Sequence, residues 1–323
     1  MTAAWYGRCS LWLLGLAIPA VHAAPTPQEL LDRMQQAAQT LTYDGVFVYH
    51  HDDHLESLRI LHKVEKSGTR ERLVSLTGVP REIIRTDNEV LCYLPDENSV
   101  MVEHRRTDRH SFPALVPESL NGISNYYRLS AGHGGRVAGR NIQSVRVQPQ
   151  DGYRFGYQLW ADQDTGLLLK ASLLDERGSV IEQYMFTHIN IGGAIADADL
   201  RPQNRGRGLV WHRPESGASA PATHRWTVEQ LPAGFVQTED MSRRLPNHRQ
   251  PVEHMVFSDG LAVVSVFVEP VADTAPSSRI TGATRMGAMH AYGRTVAGHQ
   301  ITVVGEVPAA TVSMIGESVR QKP

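Results

Sequence analysis

The feature that most constrains this chain is a change of period at Thr42. Ahead of it, Leu30, Leu31, Met34, Ala37, Ala38 and Leu41 recur at helical spacing. Thr26 can cap that helix, Pro27 fits its first turn and Glu29 completes a capping box. Beyond Thr42 the period is two. Tyr43–His50, Glu56–Glu65, Arg70–Leu76, Glu82–Thr86, Val90–Leu94 and Val100–His104 read as short strands. Asp52-Asp53, Ser67-Gly68, Gly78 with Pro80, Asp87-Asn88 and Asp96–Asn98 supply the turns. Connections this short cannot hold crossover helices, so the spacing predicts an antiparallel meander.

Ser111–Leu120 interrupts the pattern with Pro113 and Pro117, and its apolar Phe112, Leu115, Val116 and Leu120 suit a loop lying over a hydrophobic surface. Strands resume at Ile142–Val147, Phe155–Trp160, Leu167–Leu174 and Val180–Ile189. A meander of this length twists and curls into a half-barrel, with the helix and the Pro-rich loop on its concave side. That hollow is either a filled core or an apolar ligand cavity, and the pattern alone supports both equally. Candidate lining residues share one face of their strands: Val46 with Val48, Leu58 with Ile60, and Phe155 with Tyr157 and Leu159. Phe112 and Leu115 would close the cavity from the loop.

Arg201–Thr223 holds Pro202, Gly206, Gly208, Pro214, Gly217 and Pro221, the composition of a flexible linker. Strands follow at Trp226–Leu231, Val252–Phe257, Leu261–Glu269, His290–Val296 and Gln300–Val304. Pro308 then opens a last helix with Val312, Ile315 and Val319 on one face. The expected fold class is therefore α+β: a large N-terminal antiparallel half-barrel with helices over residues 24–200, a linker over 201–222, and a smaller, mostly antiparallel β domain with a terminal helix over 223–323.

Residues 1–23 have the layout of a secretory signal. Arg8 is the positive start, Ser10–Ile18 the short apolar run, and Val21-His22-Ala23 the cleavage site. The expected location is a Gram-negative periplasm. Cys9 would leave with the signal, so the other cysteine, Cys92, is expected as a buried, inert thiol.

Charge and motifs narrow the function. Lys plus Arg total 32 against 34 Asp plus Glu, a balance without the basic footprint of a nucleic-acid binder. No apolar run outside the N-terminus is long enough to span a bilayer. The chain has no G-x-S-x-G, H-E-x-x-H or C-x-x-C. His50-His51-Asp52-Asp53-His54 reads as a solvated hairpin tip, and Gly132-His133-Gly134-Gly135 as a surface turn. No catalytic residue, metal ligand or cofactor is expected; a convergent Ser/His/Asp set would revive a hydrolase reading. Arg105, Arg106 and Arg109 form a local basic patch suited to an acidic peptide or an anionic lipid headgroup.

Met286–Arg294 with Val303–Pro308, preceded by Ser258-Asp259-Gly260-Leu261 and Val263–Glu269, resembles the C-terminal domain of the RseB/MucB family. The front helix and Tyr43–Tyr49 resemble its N-terminal half. The likeness implies a large domain of the LolA/LolB kind and a periplasmic negative regulator of an envelope-stress sigma factor. Such a regulator binds the periplasmic part of a membrane-spanning anti-sigma factor, shields it from proteolysis, and is released by lipid or lipopolysaccharide-like ligands. In mucoid organisms the circuit controls alginate production. Partner contacts are expected at Arg105, Arg106 and Arg109 and at His290, Tyr292 and Arg294; homo-oligomerisation stays open. The alternative reading is a lipoprotein or lipid carrier, for which the large domain alone would suffice.

Overall fold

The fold was obtained as a computed structural model that describes residues 25–104, 122–203, 208–213, 220–221, 225–243, 251–271 and 279–322. The expected cap starts α1 (Pro27–Thr40). Thr26 Oγ1 accepts from the Glu29 N–H at 3.2 Å, and the Glu29 carboxylate accepts from the Thr26 N–H at 2.7 Å. A cap of this kind is worth about 1 kcal/mol. The apolar stripe of α1 buries Leu30, Leu31, Met34 and Ala37.

The meander follows as β1 (Tyr43–His51), β2 (His54–Glu65), β3 (Gly68–Ser75), β4 (Glu82–Arg85), β5 (Glu89–Leu94) and β6 (Ser99–His104). A second run comprises β7 (Tyr127–Ala131), β8 (Gly135–Val137), β9 (Arg140–Pro149), β10 (Gly156–Asp162), β11 (Leu168–Leu174) and β12 (Val180–Ile191). β12 pairs antiparallel with β1, which joins both runs into one 13-stranded open sheet. Its order is β13-β6-β5-β4-β3-β2-β1-β12-β11-β10-β9-β7, β13 being Val210–His212, and β8 pairs off this path with β9. α1 packs on β7, β9 and β11. Beneath it lie Tyr43, Phe47, Leu58, Ile60, Val145, Val147, Leu159, Ala171 and Phe186, each under 5% exposed.

After β12 the chain crosses the outer face of the sheet as a strap. The Asp197 carboxylate accepts from Lys63 at 2.6 Å and from Arg70 at 2.7 Å. Arg72, itself ion-paired with Glu82, donates to the Asp199 carbonyl at 2.8 Å, and the Gln203 N–H donates to Glu82 at 3.0 Å. Leu61, Ile195 and Leu200 bury one another below. The strap delivers Val210–His212 to the free edge of β6, where it pairs in parallel as β13. The stretch expected as a flexible linker is thus partly structured. An open sheet edge offers unpaired backbone groups to any extended segment within reach, and Val210-Trp211-His212 is a β-forming triplet.

The second domain contains β14 (Ala220–Pro221), β15 (Trp226–Val228), β16 (Val236–Arg243), β17 (Val252–Ser258), β18 (Val263–Pro270), β19 (Gly282–Met286), β20 (Met289–Val296), β21 (His299–Gly305), α2 (Ala309–Ser318) and β22 (Val319–Gln321). Seven of these strands form one sheet in the order β14-β16-β17-β18-β21-β20-β19, and β15 pairs with β22. Val312, Ile315 and Val319, the expected apolar face of the last helix, are each 0% exposed, in a core with Met255, Phe257, Val264, Val266, Ile301 and Val303.

Candidate functional site: the concave face and the domain seam

Alternation along β1 decides which side chains face α1. Tyr43, Gly45 and Phe47 are buried, and their β2 partners His62, Ile60 and Leu58 share that face. Val46 and Val48, expected to line a cavity, lie instead on the opposite face, half-buried and in register with Arg59 and Ser57. The period was right and its phase wrong, because both sets of alternate residues on β1 include apolar side chains. Leu58, Ile60 and Leu159 do face α1, packed into the main core. Phe112 and Leu115 lie outside the described residues, as do Arg105, Arg106 and Arg109.

Phe155 and Tyr157 mark where the two domains meet. Phe155 packs with Leu173 and with Ala288 of the second domain, and Tyr157 borders the same cluster. The His290 ring lies 6.1 Å from Phe155, and its Nδ1 is 2.8 Å from the Val307 carbonyl. The structure thereby joins one expected lining residue to one expected partner residue. Tyr292 and Arg294 serve the second domain internally. Tyr292 packs so closely on Gly316 that a Cβ there would meet its ring at 2.3 Å. Arg294 donates to the Gly316 and Val319 carbonyls at 2.7 Å each, placing a cation at the C-terminus of α2, where the helix dipole favours one. Arg294 is half-buried, with its guanidinium committed to these two carbonyls.

The centre of the seam is Arg154, 0% exposed, in the loop between β9 and β10. Its guanidinium donates to Asp259 at 2.6 Å, to both Asp151 carboxylate oxygens at 3.1 and 3.0 Å, and to the Ala233 carbonyl at 2.6 Å. The rings of Tyr126, Tyr127 and Phe235 lie 5.1, 5.5 and 5.2 Å from its central carbon. Asp259, in the β17–β18 turn, also accepts from the Tyr127 hydroxyl at 2.9 Å and from the Leu261 and Ala262 N–H groups at 2.9 and 2.7 Å. Burial pushes the Tyr127 hydroxyl well above its ordinary pKa, and the neighbouring Asp259 charge adds to this, so it stays a donor. Nearby, Thr311 donates to the Tyr153 carbonyl at 2.6 Å, and Gly234 adopts a positive φ of 87° against the Tyr126 ring. Taking one partner from a buried, hydrogen-bonded ion pair costs about 3–5 kcal/mol, so this contact fastens the domains. Nothing in the local sequence marks Arg154. Asp259 was visible as a turn residue, its second use only through the fold.

The order and content of both domains have counterparts among known proteins. Residues 26–204 match the MucB/RseB N-terminal domain, and residues 220–320 match the MucB/RseB C-terminal domain. The chain belongs to the MucB/RseB family. It is 33% identical over 323 residues to the sigma factor AlgU regulatory protein MucB of Pseudomonas aeruginosa, covering 96% of both proteins. It is 27% identical over 300 residues to the sigma-E factor regulatory protein RseB of Escherichia coli, covering 92% of each. Among solved structures it resembles MucB in complex with MucA(peri), with a TM-score of 0.71 and 29% identity, over 92% of this chain and 99% of that one. Against MucB alone the TM-score is 0.65 at 30% identity, over 92% and 98%. This MucB/RseB chain is thus matched across both domains, and the family is one of regulatory binding proteins.

Proposed function

We propose that this protein is a periplasmic negative regulator of an envelope-stress sigma factor. It binds the periplasmic domain of a membrane-spanning anti-sigma factor and keeps it from proteolysis; a lipid or lipopolysaccharide-like ligand in the large domain releases it. The observation that carries this reading is the likeness, across both domains, to MucB solved with MucA(peri). The leader-like residues 1–23 support the location, and no described helix is long and apolar enough to cross a membrane. The absence of a catalytic motif in the sequence fits a protein that acts by occupancy.

The seam bears on how release works. If a ligand acts by parting the domains, it must favour the parted form by what the Arg154 contacts are worth. At about 3–5 kcal/mol that is a preference of roughly a hundred- to a thousandfold or more. The test is isothermal titration of the chain from Ala24 with the periplasmic segment of the anti-sigma factor encoded beside it, repeated with lipid present. Tight binding that lipid weakens is expected. No binding, with lipid uptake retained after removal of residues 223–323, would favour the carrier reading instead.

A further inference from the structure

The tips of the β1–β6 meander are charged, with one exception. Asp52 with Asp53, Lys66, Asp87, and Asp96 with Glu97 occupy four of them. The β3–β4 connection, residues 76–80, reads Leu-Thr-Gly-Val-Pro and carries no charge. Water surrounds it nonetheless: Leu76 is 51% exposed and Val79 70%. Leu55, 64% exposed, extends the same patch. It shares a face of β2 with Ser57, and the Leu76 N–H donates to the Ser57 carbonyl at 2.8 Å.

The polar groups of this loop turn inward. The Ser75 hydroxyl donates to the Val79 carbonyl at 3.0 Å and accepts from the Arg81 N–H at 2.8 Å. The Ser75 N–H donates to the Arg81 carbonyl at 3.0 Å, and the Thr77 hydroxyl accepts from the Ser57 N–H at 2.8 Å. Arg81, next to the loop, is ion-paired with Glu56 at 2.5 Å. At the apex Gly78 has a φ of 74°, with no described atom within 4 Å of where a Cβ would stand, so the tip projects clear of the domain.

An ordinary surface loop shows its polar groups to water; this one shows its aliphatic side chains. That arrangement suits an apolar medium. Leu55, Leu76 and Val79 gain by leaving water, and backbone groups already bonded within the protein cost less to desolvate. Three part-exposed side chains are too few for a protein partner, which covers about 800 Å² on each side of a standard interface. A bilayer surface sets no such minimum, because apolar side chains can dip singly between headgroups. The neighbouring β1–β2 tip carries Asp53, and the loop has no cation to offset it, which disfavours an anionic surface.

We propose that residues 76–80, with Leu55, dock the large domain on the surface of a net-neutral phospholipid bilayer by apolar insertion. This concerns where the protein sits, goes beyond the ligand-triggered release described above, and is tested without the anti-sigma factor.

The experiment is flotation of the chain from Ala24 with phosphatidylcholine vesicles, comparing wild type, the double variant Leu76→Asp with Val79→Asp, and Val79→Trp. Wild type is expected to float with the vesicles equally well at about 0.1 M and about 0.5 M salt, since charge is not the attraction. The double variant is expected to bind at least about tenfold more weakly, the worth of one aliphatic side chain returned to water, with an unchanged melting point because both positions are mostly exposed. Val79→Trp should bind severalfold more tightly, since an indole favours the membrane interface, and it decides the matter if the double variant melts lower. Absence of wild-type flotation would overturn the proposal, as would equal flotation of the double variant or release of the wild type by salt. If the double variant instead loses affinity for the periplasmic anti-sigma segment in free solution, the loop is a protein contact: the docking proposal fails and the regulator reading stands.

Discussion

The seam around Arg154 and the row of Tyr43, His62, Glu71 and Arg85 across β1–β4 are both polar clusters buried against the main core, and they are finished differently. At the seam the cation is matched by two carboxylates, a carbonyl and three ring faces. In the row the Glu71 end is matched, by His62 Nδ1 at 3.0 Å and by Arg85 at 3.1 Å, while the Tyr43 hydroxyl and His62 Nε2 are without partners among the described residues. A satisfied buried network is a fastener, since any change to it leaves a charge stranded. A half-satisfied one gives back part of what its matched end contributes. The contrast gives the seam the larger hold on the fold.

The largest effect is expected at the fastener. Arg154→Met strands Asp259 in the interior and should cost about 3–5 kcal/mol. Urea unfolding is expected to change from one transition to two as the domains uncouple. A single transition at the wild-type midpoint would show that the seam carries no load.

Next is the matched end of the row. Glu71→Gln leaves Arg85 and His62 without their carboxylate and should cost about 2–3 kcal/mol at neutral pH. The folded-state pKa of Glu71 lies below its ordinary value, so its contribution is complete above about 4.5 and is lost as pH falls toward about 2. Wild-type stability should decline across that window and the variant should decline less. Parallel acid limbs in the two proteins would remove Glu71 from the account.

The smallest of these effects concerns shape. A Cβ at Gly234 would meet the Tyr126 ring at 2.4 Å, in a positive-φ conformation that side chains disfavour. Gly234→Ala should cost about 1–3 kcal/mol. Tyr126→Ala in the same chain should recover the steric part of that loss but not the backbone part. Full additivity of the two changes in a thermal melt would show that the turn and the ring are independent.

What the sequence made legible follows burial. The α1 cap, the six-strand meander and the α2 face were readable because each buries one side and exposes the other. β7 and β19 were missed: in each most side chains are exposed, so no buried set writes a period. Leu58 and Ile60 were placed on the inner face, whereas Val46 and Val48 show that a period of two gives no phase without knowing what lies above it. Cys92, read as buried, is only half-buried; even so, burial raises its thiol pKa, in keeping with an inert role. Arg154 was illegible in principle, because a cation becomes an interior residue only through partners distant in the chain: Asp259 is 105 residues away.

The strand contributed by Val210–His212 has a bearing on how this protein can be cut. A fragment ending at residue 204, where the first family match stops, would keep its strap and lose its last strand. Ser99–Met101 would then present bare amides and carbonyls to any neighbouring molecule, an invitation to edge-to-edge polymerisation. Residues that look like spacer in composition are, for the large domain, a lid on its own stickiness, and a soluble fragment has to run through at least His212.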